Sequence, residues 1–256
     1  MPDFIYLGAR SPGDWYVGAR ETGPIFLGYS PLLPDDGGET PGGDTITMRW
    51  EFNDAVGPFA NVGAGQSTGM EIVADGDAPT FEDGLLVLPK GTYLRTLDQM
   101  DWAFADTGDT NTNFTPKRLR FSFYGIVDPG SYDSVLIEYY KWANGSINLR
   151  TFWEGDMLRM DAYREGVGES QCKSDSDPRR ALGTLQLYEA EWVDDPTGPG
   201  GTVNFYVDGT PFGEARNATN KPRLPGGDRL YVSASLGNTS NGANMKVGWI
   251  EVTYEI

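Results

Sequence analysis

Short runs of alternating apolar and polar residues fill the chain from about residue 45 onward. The clearest is Thr202–Asp208, which reads Thr-Val-Asn-Phe-Tyr-Val-Asp. A period of two is typical of a strand that buries one of its faces. The run ends at Asp208-Gly209, a dipeptide that readily adopts the positive φ angles of a tight hairpin turn. We therefore predict that the chain reverses here into a return strand at Thr210–Glu214.

The same alternation marks the other segments that we predict to be strands. In one of them Tyr188, Ala190 and Trp192 share a face. The remaining predicted strands are Thr45–Phe52, Leu85–Leu88, Tyr93–Leu97, Arg118–Ile126, Val135–Trp142, Ser146–Trp153, Met157–Tyr163, Leu230–Leu236 and Val247–Ile256. About a dozen short strands, with no breaker-free run at helical spacing, predict an all-β chain. Two packed sheets are then expected, as an antiparallel jelly-roll β-sandwich.

Glycine, proline and polar residues indicate how these strands are connected. Pro89-Lys90-Gly91 predicts a hairpin that pairs Leu85–Leu88 with Tyr93–Leu97. Asn53–Thr80 is rich in glycine, and Glu165–Ala181 is polar. We predict that both are loops.

The first 33 residues repeat a short motif every ten residues. Tyr6-Leu7-Gly8, Tyr16-Val17-Gly18 and Phe26-Leu27-Gly28 each place an aromatic and an aliphatic residue before glycine. Each unit is too short to bury these side chains alone. The segment is either a meander against the main domain, a partly ordered tail, or an arm that docks on another protein. The predicted docking residues are Tyr6, Leu7, Trp15, Tyr16, Ile25 and Phe26.

A breaker-rich linker favours the arm. Residues 34–44 read Pro-Asp-Asp-Gly-Gly-Glu-Thr-Pro-Gly-Gly-Asp and contain no large apolar residue. Such a composition is typical of a flexible connection. The predicted organisation is thus an arm at 1–33, a linker at 34–44 and a β-sandwich at 45–256.

Composition narrows the classes of function. The 256 residues carry a formal net charge of −17, which argues against binding to nucleic acid or to an anionic membrane. The chain has no histidine, which excludes Ser-His-Asp and Cys-His catalysis and His-based metal sites. With a single cysteine, Cys172, no intrachain disulfide forms. The start, Met-Pro-Asp-Phe, lacks the pattern of a signal peptide, so none is expected.

The strand sequence resembles the concanavalin A-like and laminin-G-like superfamily of lectins and glucanases. The most specific match is Tyr206-Val207-Asp208-Gly209 after the tryptophan-containing strand Tyr188–Trp192. Met48–Phe52, Phe81–Leu88 and Gly248–Val252 match at the level of pattern. The resemblance covers roughly Thr45 to Ile256 and implies a two-sheet sandwich with a sugar-binding or sugar-cleaving site.

The ten-residue repeats resemble N-terminal repeats of minor virion proteins in tailed bacteriophages. This resemblance implies a virion structural protein that is assembled in the host cytoplasm and attached to other virion proteins through residues 1–33. The sandwich would then be displayed outward, toward host-surface polysaccharide. A homo-oligomer is also expected, because a solitary aromatic arm exposes apolar surface. The alternatives are a glucanase-type enzyme and a purely structural decoration module without a ligand.

Aromatic residues in adjacent predicted strands indicate where a sugar would bind. Flat aromatic rings stack on sugars, and nearby acids and amides such as Glu138 and Asn148 orient the hydroxyl groups. Several of these aromatics would instead belong to the core. The predicted glycan-binding residues are Glu138, Tyr140, Trp142, Trp153 and Tyr163.

A catalytic pair of acids is not found where the resemblance implies one. Glucanases of this superfamily carry Glu-x-Asp-x-x-Glu on one strand, and the equivalent strand here offers only Glu138. Asp156 and Asp161 lie on the neighbouring hairpin, but solvated surface charge is the commoner role for such residues. We therefore predict that the chain is not an enzyme.

One loop places oxygen donors at the spacing of a calcium ligand set. It contains Asp106, Asp109, Asn111 and Asn113. Phe114 and Arg120 occupy the positions where an EF-hand has its glycine and its glutamate, so this is no EF-hand. Turn residues often form local hydrogen bonds instead. No cofactor is predicted, with calcium at this loop as the one candidate ion.

Overall fold

The computed structural model describes residues 45–64, 68–74, 77–89, 91–100, 113–114, 116–127, 135–141, 145–152, 157–164, 168–173, 183–218, 224–225, 229–233 and 245–255. These residues form strands and no helix. The strands are β1 Thr45–Glu51, β2 Met70–Ala74, β3 Thr80–Glu82, β4 Leu85–Leu88, β5 Thr92–Thr96, β6 Asn113–Phe114, β7 Arg118–Val127, β8 Val135–Lys141, β9 Gly145–Phe152, β10 Met157–Arg164, β11 Gly168–Lys173, β12 Leu185–Asp194, β13 Gly201–Val207, β14 Thr210–Pro211, β15 Arg216–Ala218, β16 Leu224–Pro225, β17 Arg229–Ser233 and β18 Met245–Glu255. The predicted arm and linker, residues 1–44, lie outside the described residues.

Two antiparallel sheets contain nearly all of these strands. The first sheet has nine strands, with the order β14-β13-β12-β7-β18-β4-β3, while β1 also pairs with β18 and β15 with β13. The second sheet has seven strands, with the order β11-β10-β9-β8-β17-β5-β2. A separate pair is formed by β6 and β16. The structure confirms the predicted all-β, two-sheet sandwich.

The core consists of the alternate residues that each sheet turns toward the other. Leu119, Phe121 and Phe123 of β7 are fully buried, as the alternation of that strand predicts. The largest fully buried side chains are Trp50, Trp192, Tyr139, Tyr188, Phe52, Phe121, Phe123, Met48, Met70, Leu86 and Leu88. The tryptophan, tyrosine and phenylalanine residues of this set bury more area than its methionine and leucine residues. The aromatic residues therefore contribute most of the hydrophobic stabilisation of the sandwich.

The hairpin at Asp208-Gly209 forms as predicted. Asp208 has a φ of 50° and Gly209 a φ of 72°, the positive values that a two-residue hairpin turn of this kind requires. The Asp208 side chain adds to the turn, because its Oδ1 accepts a hydrogen bond from the amide of Leu187 at 2.8 Å. The strand pair β12–β13 is thereby held in register at its end.

A bulge in β18 shapes the centre of the first sheet. Gly248 is the extra residue, since Val247 pairs with Gly125 and Trp249 with Tyr124. The bulged strand comes very close to Gly125: a Cβ there would lie 2.2 Å from the carbonyl oxygen of Lys246 and 2.8 Å from the ring of Phe123. Only glycine fits this position.

Three of the predicted connections are wrong. Leu85–Leu88 and the strand after it do not form a hairpin, because β4 pairs with β18 in the first sheet and β5 with β17 in the second. Pro89 and Gly91 instead belong to a turn that carries the chain from one sheet to the other. Strands also form inside both predicted loops, as β2 and β11. The alternation in Met70–Ala74 and in Gly168–Lys173 is too short or too polar to stand out from the surrounding sequence.

Replacement of Gly125 by alanine tests the close approach of β7 and β18. We expect Gly125→Ala to lower the free energy of unfolding by about 2–3 kcal/mol, because the methyl group meets a backbone carbonyl that cannot move aside. Gly209→Ala is the control: its Cβ meets nothing within 4 Å, and its cost is only the positive φ, about 1 kcal/mol. Urea unfolding of both variants measures the difference. Equal destabilisation would contradict this account of Gly125.

Candidate functional site

A row of polar residues crosses the second sheet from strand to strand at one register position. Following the register from β2 to β11, the residues directly opposite one another are Glu71, Arg95, Tyr231, Glu138, Asn148, Asp161 and Gln171. Their neighbours along the strands, such as Leu94, Val232 and Leu149, are fully buried in the core. At one strand spacing per step, the row is about 29 Å long, which is enough to span several sugar residues.

Aromatic and charged side chains cluster at one end of this row. The rings of Tyr93 and Tyr231 are 6.2 Å apart between centroids and tilted by 48°. Arg95 Nε lies 2.7 Å from Glu71 Oε1, and Arg229 Nη1 lies 3.7 Å from the same oxygen. The surface defined by Glu71, Tyr93, Arg95, Glu138, Arg229 and Tyr231 is called the Tyr231 face below.

The side chains of the Tyr231 face are held in place yet reachable by solvent. Glu71, Arg95 and Arg229 are 32%, 34% and 29% exposed. The hydrogen bond to Glu71 raises the pKa of Arg95, so the guanidinium stays charged. Farther along the row, Asn148 is only 1% exposed. The face therefore offers fixed donors and acceptors beside two aromatic rings, which is the usual composition of a polar ligand site.

Three of the five predicted glycan-binding residues occupy neighbouring positions on this sheet. Glu138 is partly exposed and lies opposite Tyr231. In the next row, Tyr140 pairs with Ser146, which pairs in turn with Tyr163. Trp142 and Trp153 lie outside the described residues. The register thus brings Glu138, Tyr140 and Tyr163 onto adjacent rows, and their role in sugar binding stays a prediction.

The residues at the β5–β17 end of the face are not among the predicted glycan-binding residues. Alternation alone shows that Tyr93 and Arg95 share one side of their strand and that Arg229 and Tyr231 share one side of theirs. Nothing in the sequence indicates that these two strands are neighbours. Only the strand order of the second sheet brings residues 93 and 231 together.

Glu138 and Asp161 are the acids of the glucanase alternative. They occupy the same row, with Asn148 between them, so their Cα atoms are two strand spacings, or about 10 Å, apart. Asp156, the third candidate, lies outside the described residues. A retaining glucanase needs two carboxyl groups about 5 Å apart, which is about one strand spacing. The residue one strand spacing from Glu138 is Asn148, whose side chain is an amide and not an acid.

The outward surface of the first sheet carries buried carboxylates that no sequence motif marks. Glu189 is 3% and Glu191 8% exposed. Arg120 Nη2 lies 3.0 Å from Glu189 Oε2, at an angle that does not suit a hydrogen bond, while Ser122 Oγ donates to Glu189 Oε1 at 3.1 Å. Arg118 Nε lies 3.6 Å from Glu191 Oε1. With an arginine beside each carboxylate, these acids act as structural ion pairs.

Aromatic rings on this first surface contact other side chains of the protein. Trp249 has the guanidinium of Arg49 4.0 Å from its ring centroid, and Tyr124 is stacked on it at 5.5 Å. Because β1 and β7 flank β18 on opposite sides, these contacts occupy both faces of the indole. Tyr206 lies beneath Arg120, at 5.2 Å, and burial raises the pKa of its hydroxyl group. Trp249 is thus occupied by protein contacts, while Tyr206 is half-buried.

The predicted calcium loop is largely outside the part of the chain that the structure describes. Asp106, Asp109 and Asn111 fall in a gap, and Asn113 pairs with Pro225 through β6 and β16. Among the described residues, no group of three or more acids or thiols is arranged to hold a metal ion.

The same described ranges contain no helix long and apolar enough to cross a membrane. Cys172 is a free cysteine that is buried in the core.

No family model matches the sequence, and no curated protein has a significantly similar sequence. Solved structures do share the fold. Domain 4 of AbnA, a GH43 extracellular arabinanase from Geobacillus stearothermophilus in complex with arabinotriose, has a TM-score of 0.54 and 15% identity, over 82% of this chain and 92% of that domain. The similarity shows that the chain has the β-sandwich fold of that domain.

Receptor-binding domains of botulinum neurotoxins are similar as well. The binding domain of neurotoxin DC in complex with SialylT has a TM-score of 0.55 and 9% identity over 81% of this chain. A type C structure described for its interaction with two ganglioside molecules has a TM-score of 0.54 and 10% identity over 82% of this chain. The match spans 47% and 48% of those two chains, about half of each. At 9% and 10% identity, this similarity shows the β-sandwich fold alone.

Removal of Arg120 tests the structural role of the buried carboxylates. We expect Arg120→Met to lower the free energy of unfolding by about 3 kcal/mol, because Glu189 is left buried without its counter-charge. The double variant Arg120→Met/Glu189→Met should recover most of this loss. Lys246→Met, which removes the solvent-exposed pair of Lys246 with Glu82 at 3.0 Å, should have little effect. If the single variant unfolds like the wild type in urea, Glu189 is stabilised by other groups.

Proposed function

We propose that this protein is a non-catalytic glycan-binding module and that the Tyr231 face is its binding surface. The observation that carries the proposal is the juxtaposition of the Tyr93–Tyr231 ring pair with the Glu71–Arg95–Arg229 ion pairs on one outward surface. Sugars present apolar C–H faces and many hydroxyl groups, so a site with rings and fixed charged groups suits both. Glu138 extends the same row of polar groups toward the centre of the sheet.

The fold neighbours support this assignment. One was solved with a bound arabinotriose, another with SialylT, and a third is described for its interaction with gangliosides. The arabinanase domain is the more informative of these, because the match covers 92% of it. A sandwich of this size thus serves as a sugar-binding unit in at least one other protein.

The glucanase alternative has less support from the described residues. A retaining enzyme requires two carboxyl groups about 5 Å apart and an inverting enzyme two at about 6.5–9.5 Å. Glu138 and Asp161 are separated by a buried asparagine, and Glu189 and Glu191 are both paired with arginine. We therefore favour binding without hydrolysis.

Truncation of the two tyrosines tests the proposed face. The full-length protein is first screened on an array of bacterial surface polysaccharides and plant oligosaccharides, and the dissociation constants of the ligands found are measured by calorimetry. Tyr93→Ala and Tyr231→Ala should each weaken binding by about three- to tenfold, because each removes one stacking ring. Tyr206→Ala, on the outward surface of the first sheet, is the matched control and should bind like the wild type.

Three results would count against this proposal. A blank array would favour the structural decoration module without a ligand. If Tyr206→Ala loses as much affinity as Tyr93→Ala and Tyr231→Ala, the binding site does not lie on the Tyr231 face. A reducing-end assay on the same polysaccharides separates binding from hydrolysis, since the release of new ends would support the enzyme.

We further propose that the module is a structural component of a bacteriophage virion, anchored to other virion proteins through its N-terminal arm. The support is in the sequence: three ten-residue aromatic repeats at 1–33, a breaker-rich linker and a net charge of −17. In this arrangement the arm buries its aromatic side chains in the particle and the sandwich is displayed toward the host surface. Calcium at the loop of Asp106, Asp109, Asn111 and Asn113 stays a prediction.

Deletion of residues 1–44 tests the arm. We expect a soluble sandwich with an unchanged β-type circular dichroism spectrum, because the described strands begin at Thr45. The truncated protein should no longer be incorporated into particles, because the aromatic repeats are missing. Immunoblots of purified virions measure incorporation. A truncated protein present at wild-type copy number would contradict the docking role.

A further inference from the structure

The ion pair of Glu71 and Arg95 on the Tyr231 face keeps polar atoms that the protein itself does not use. Arg95 Nε donates a hydrogen bond to Glu71 Oε1 at 2.7 Å. A guanidinium group carries further N–H donors on Nη1 and Nη2, and those of Arg95 donate to no other described residue. Within the described ranges, Glu71 Oε2 likewise accepts no hydrogen bond. The pair therefore presents a donor edge and an acceptor oxygen side by side.

An arginine of the first sheet shows a different use of its donors. Arg49 donates through Nε to Glu51 Oε1 at 3.1 Å and through Nη1 to Glu251 Oε2 at 3.4 Å. Its guanidinium group also lies 4.0 Å from the ring centroid of Trp249. Arg95 has a single hydrogen bond of this kind, and its side chain is 34% exposed. The open donor edge is thus a property of the position of Arg95.

Two tyrosines flank this ion pair. Tyr231 lies directly opposite Arg95, and Tyr93 precedes Arg95 by two residues on β5. The pKa of Arg95 is raised first by its hydrogen bond with Glu71 and also by both tyrosines, so the guanidinium lies near both rings. Arg229 Nη1, at 3.7 Å from Glu71 Oε1, is beyond hydrogen-bonding distance, and Arg229 takes part in a further interaction within the protein. Glu71 and Arg95 are therefore the polar groups that stay open beside the rings.

We propose that Glu71 and Arg95 bind two adjacent hydroxyl groups of a neutral sugar, whose apolar C–H face contacts the two tyrosines. This inference rests on the glycan-binding function proposed above and specifies its ligand class. One hydroxyl group donates to Glu71 Oε2, and its neighbour on the sugar ring accepts from an Nη group of Arg95. A vicinal diol suits this pair because each hydroxyl group serves as donor or as acceptor.

An acidic sugar fits the same pair less well. A carboxylate has acceptors and no donor, so it suits the Nη groups of Arg95 but has nothing to donate to Glu71. It also places a second negative charge beside that of Glu71. The hydroxyl pair meets both residues without adding charge. Because the ion pair already holds the two side chains, little conformational freedom is lost when the sugar binds.

Glycans with and without a free vicinal diol test the ligand class. The array of bacterial surface polysaccharides and plant oligosaccharides is printed twice. One copy is treated with periodate, which cleaves the carbon–carbon bond between adjacent hydroxyl-bearing carbons, and then with borohydride. We expect neutral glycans to bind and to lose their signal after treatment. Binding that survives the treatment, or binding of acidic glycans alone, would overturn the diol contact.

Conservative variants test the two residues. Glu71→Gln replaces one carboxylate oxygen by an amide nitrogen, and Arg95→Lys keeps the positive charge but removes the Nη groups. Each should weaken binding of the array glycan with the strongest signal by about tenfold, as expected for the loss of one hydrogen bond to a charged group. Glu82→Gln and Lys246→Arg, matched changes in an exposed ion pair of the first sheet, should bind like the wild type. Thermal unfolding checks the fold of each variant.

Monodeoxy derivatives of the same glycan separate a direct contact from a structural role. Removal of the hydroxyl group that meets Arg95 should weaken binding to the wild type by about tenfold and leave binding to Arg95→Lys almost unchanged, because both changes delete the same hydrogen bond. A second hydroxyl group, adjacent on the ring, should show the same relation to Glu71→Gln. Calorimetry measures each dissociation constant. Additive losses for every derivative would contradict direct contact.

Different outcomes separate this inference from the proposed function. If Tyr93→Ala and Tyr231→Ala lose affinity while Glu71→Gln and Arg95→Lys bind like the wild type, the glycan-binding function stands and the diol contact does not. If the untreated array is blank, both are wrong.

Discussion

The structure depends on the burial of one side of every long strand between two sheets. Trp50, Trp192 and Tyr188 are fully buried because alternate positions of β1 and β12 face the interior. Once these side chains are inside, the period of two forces their neighbours outward. The outward residues then fall into cross-strand rows, because each strand is held in register with the next. The candidate site is one of these rows, so the packing of the core also sets the geometry of the binding surface.

The two outward surfaces have the same origin and different properties. On the first sheet the charges are matched and the rings are covered: Glu189 and Glu191 have arginine partners, and Trp249 lies between Arg49 and Tyr124. On the second sheet Tyr93 and Tyr231 are partly exposed beside the charged groups of Glu71, Arg95 and Arg229. A surface whose side chains contact one another closely stabilises the protein. A surface that keeps exposed rings beside charged groups is suited to a ligand with apolar and polar faces.

Parts of this site could be predicted from the sequence and parts could not. Glu138 and Tyr140 are two residues apart on one strand, so alternation alone places them on one side. Tyr93 and Tyr231 are separated by 137 positions, and they meet only because β5 and β17 are neighbours. The predicted hairpin between β4 and β5 failed for the same reason. A tight turn shows that the chain bends, but not whether the next strand joins the same sheet or crosses to the other.

The sequence by itself determined the class of the fold, the inward residues and the hairpin at Asp208-Gly209. These follow from local chemistry: the side-chain period of a strand and the φ angles that glycine and aspartate accept. It also excluded histidine-dependent catalysis. The tertiary structure alone decided the strand order, the bulge that requires glycine at Gly125, and the meeting of Tyr93 and Tyr231 across β5 and β17. These features arise from pairing between distant segments, whose energy depends on residues that no local pattern brings together.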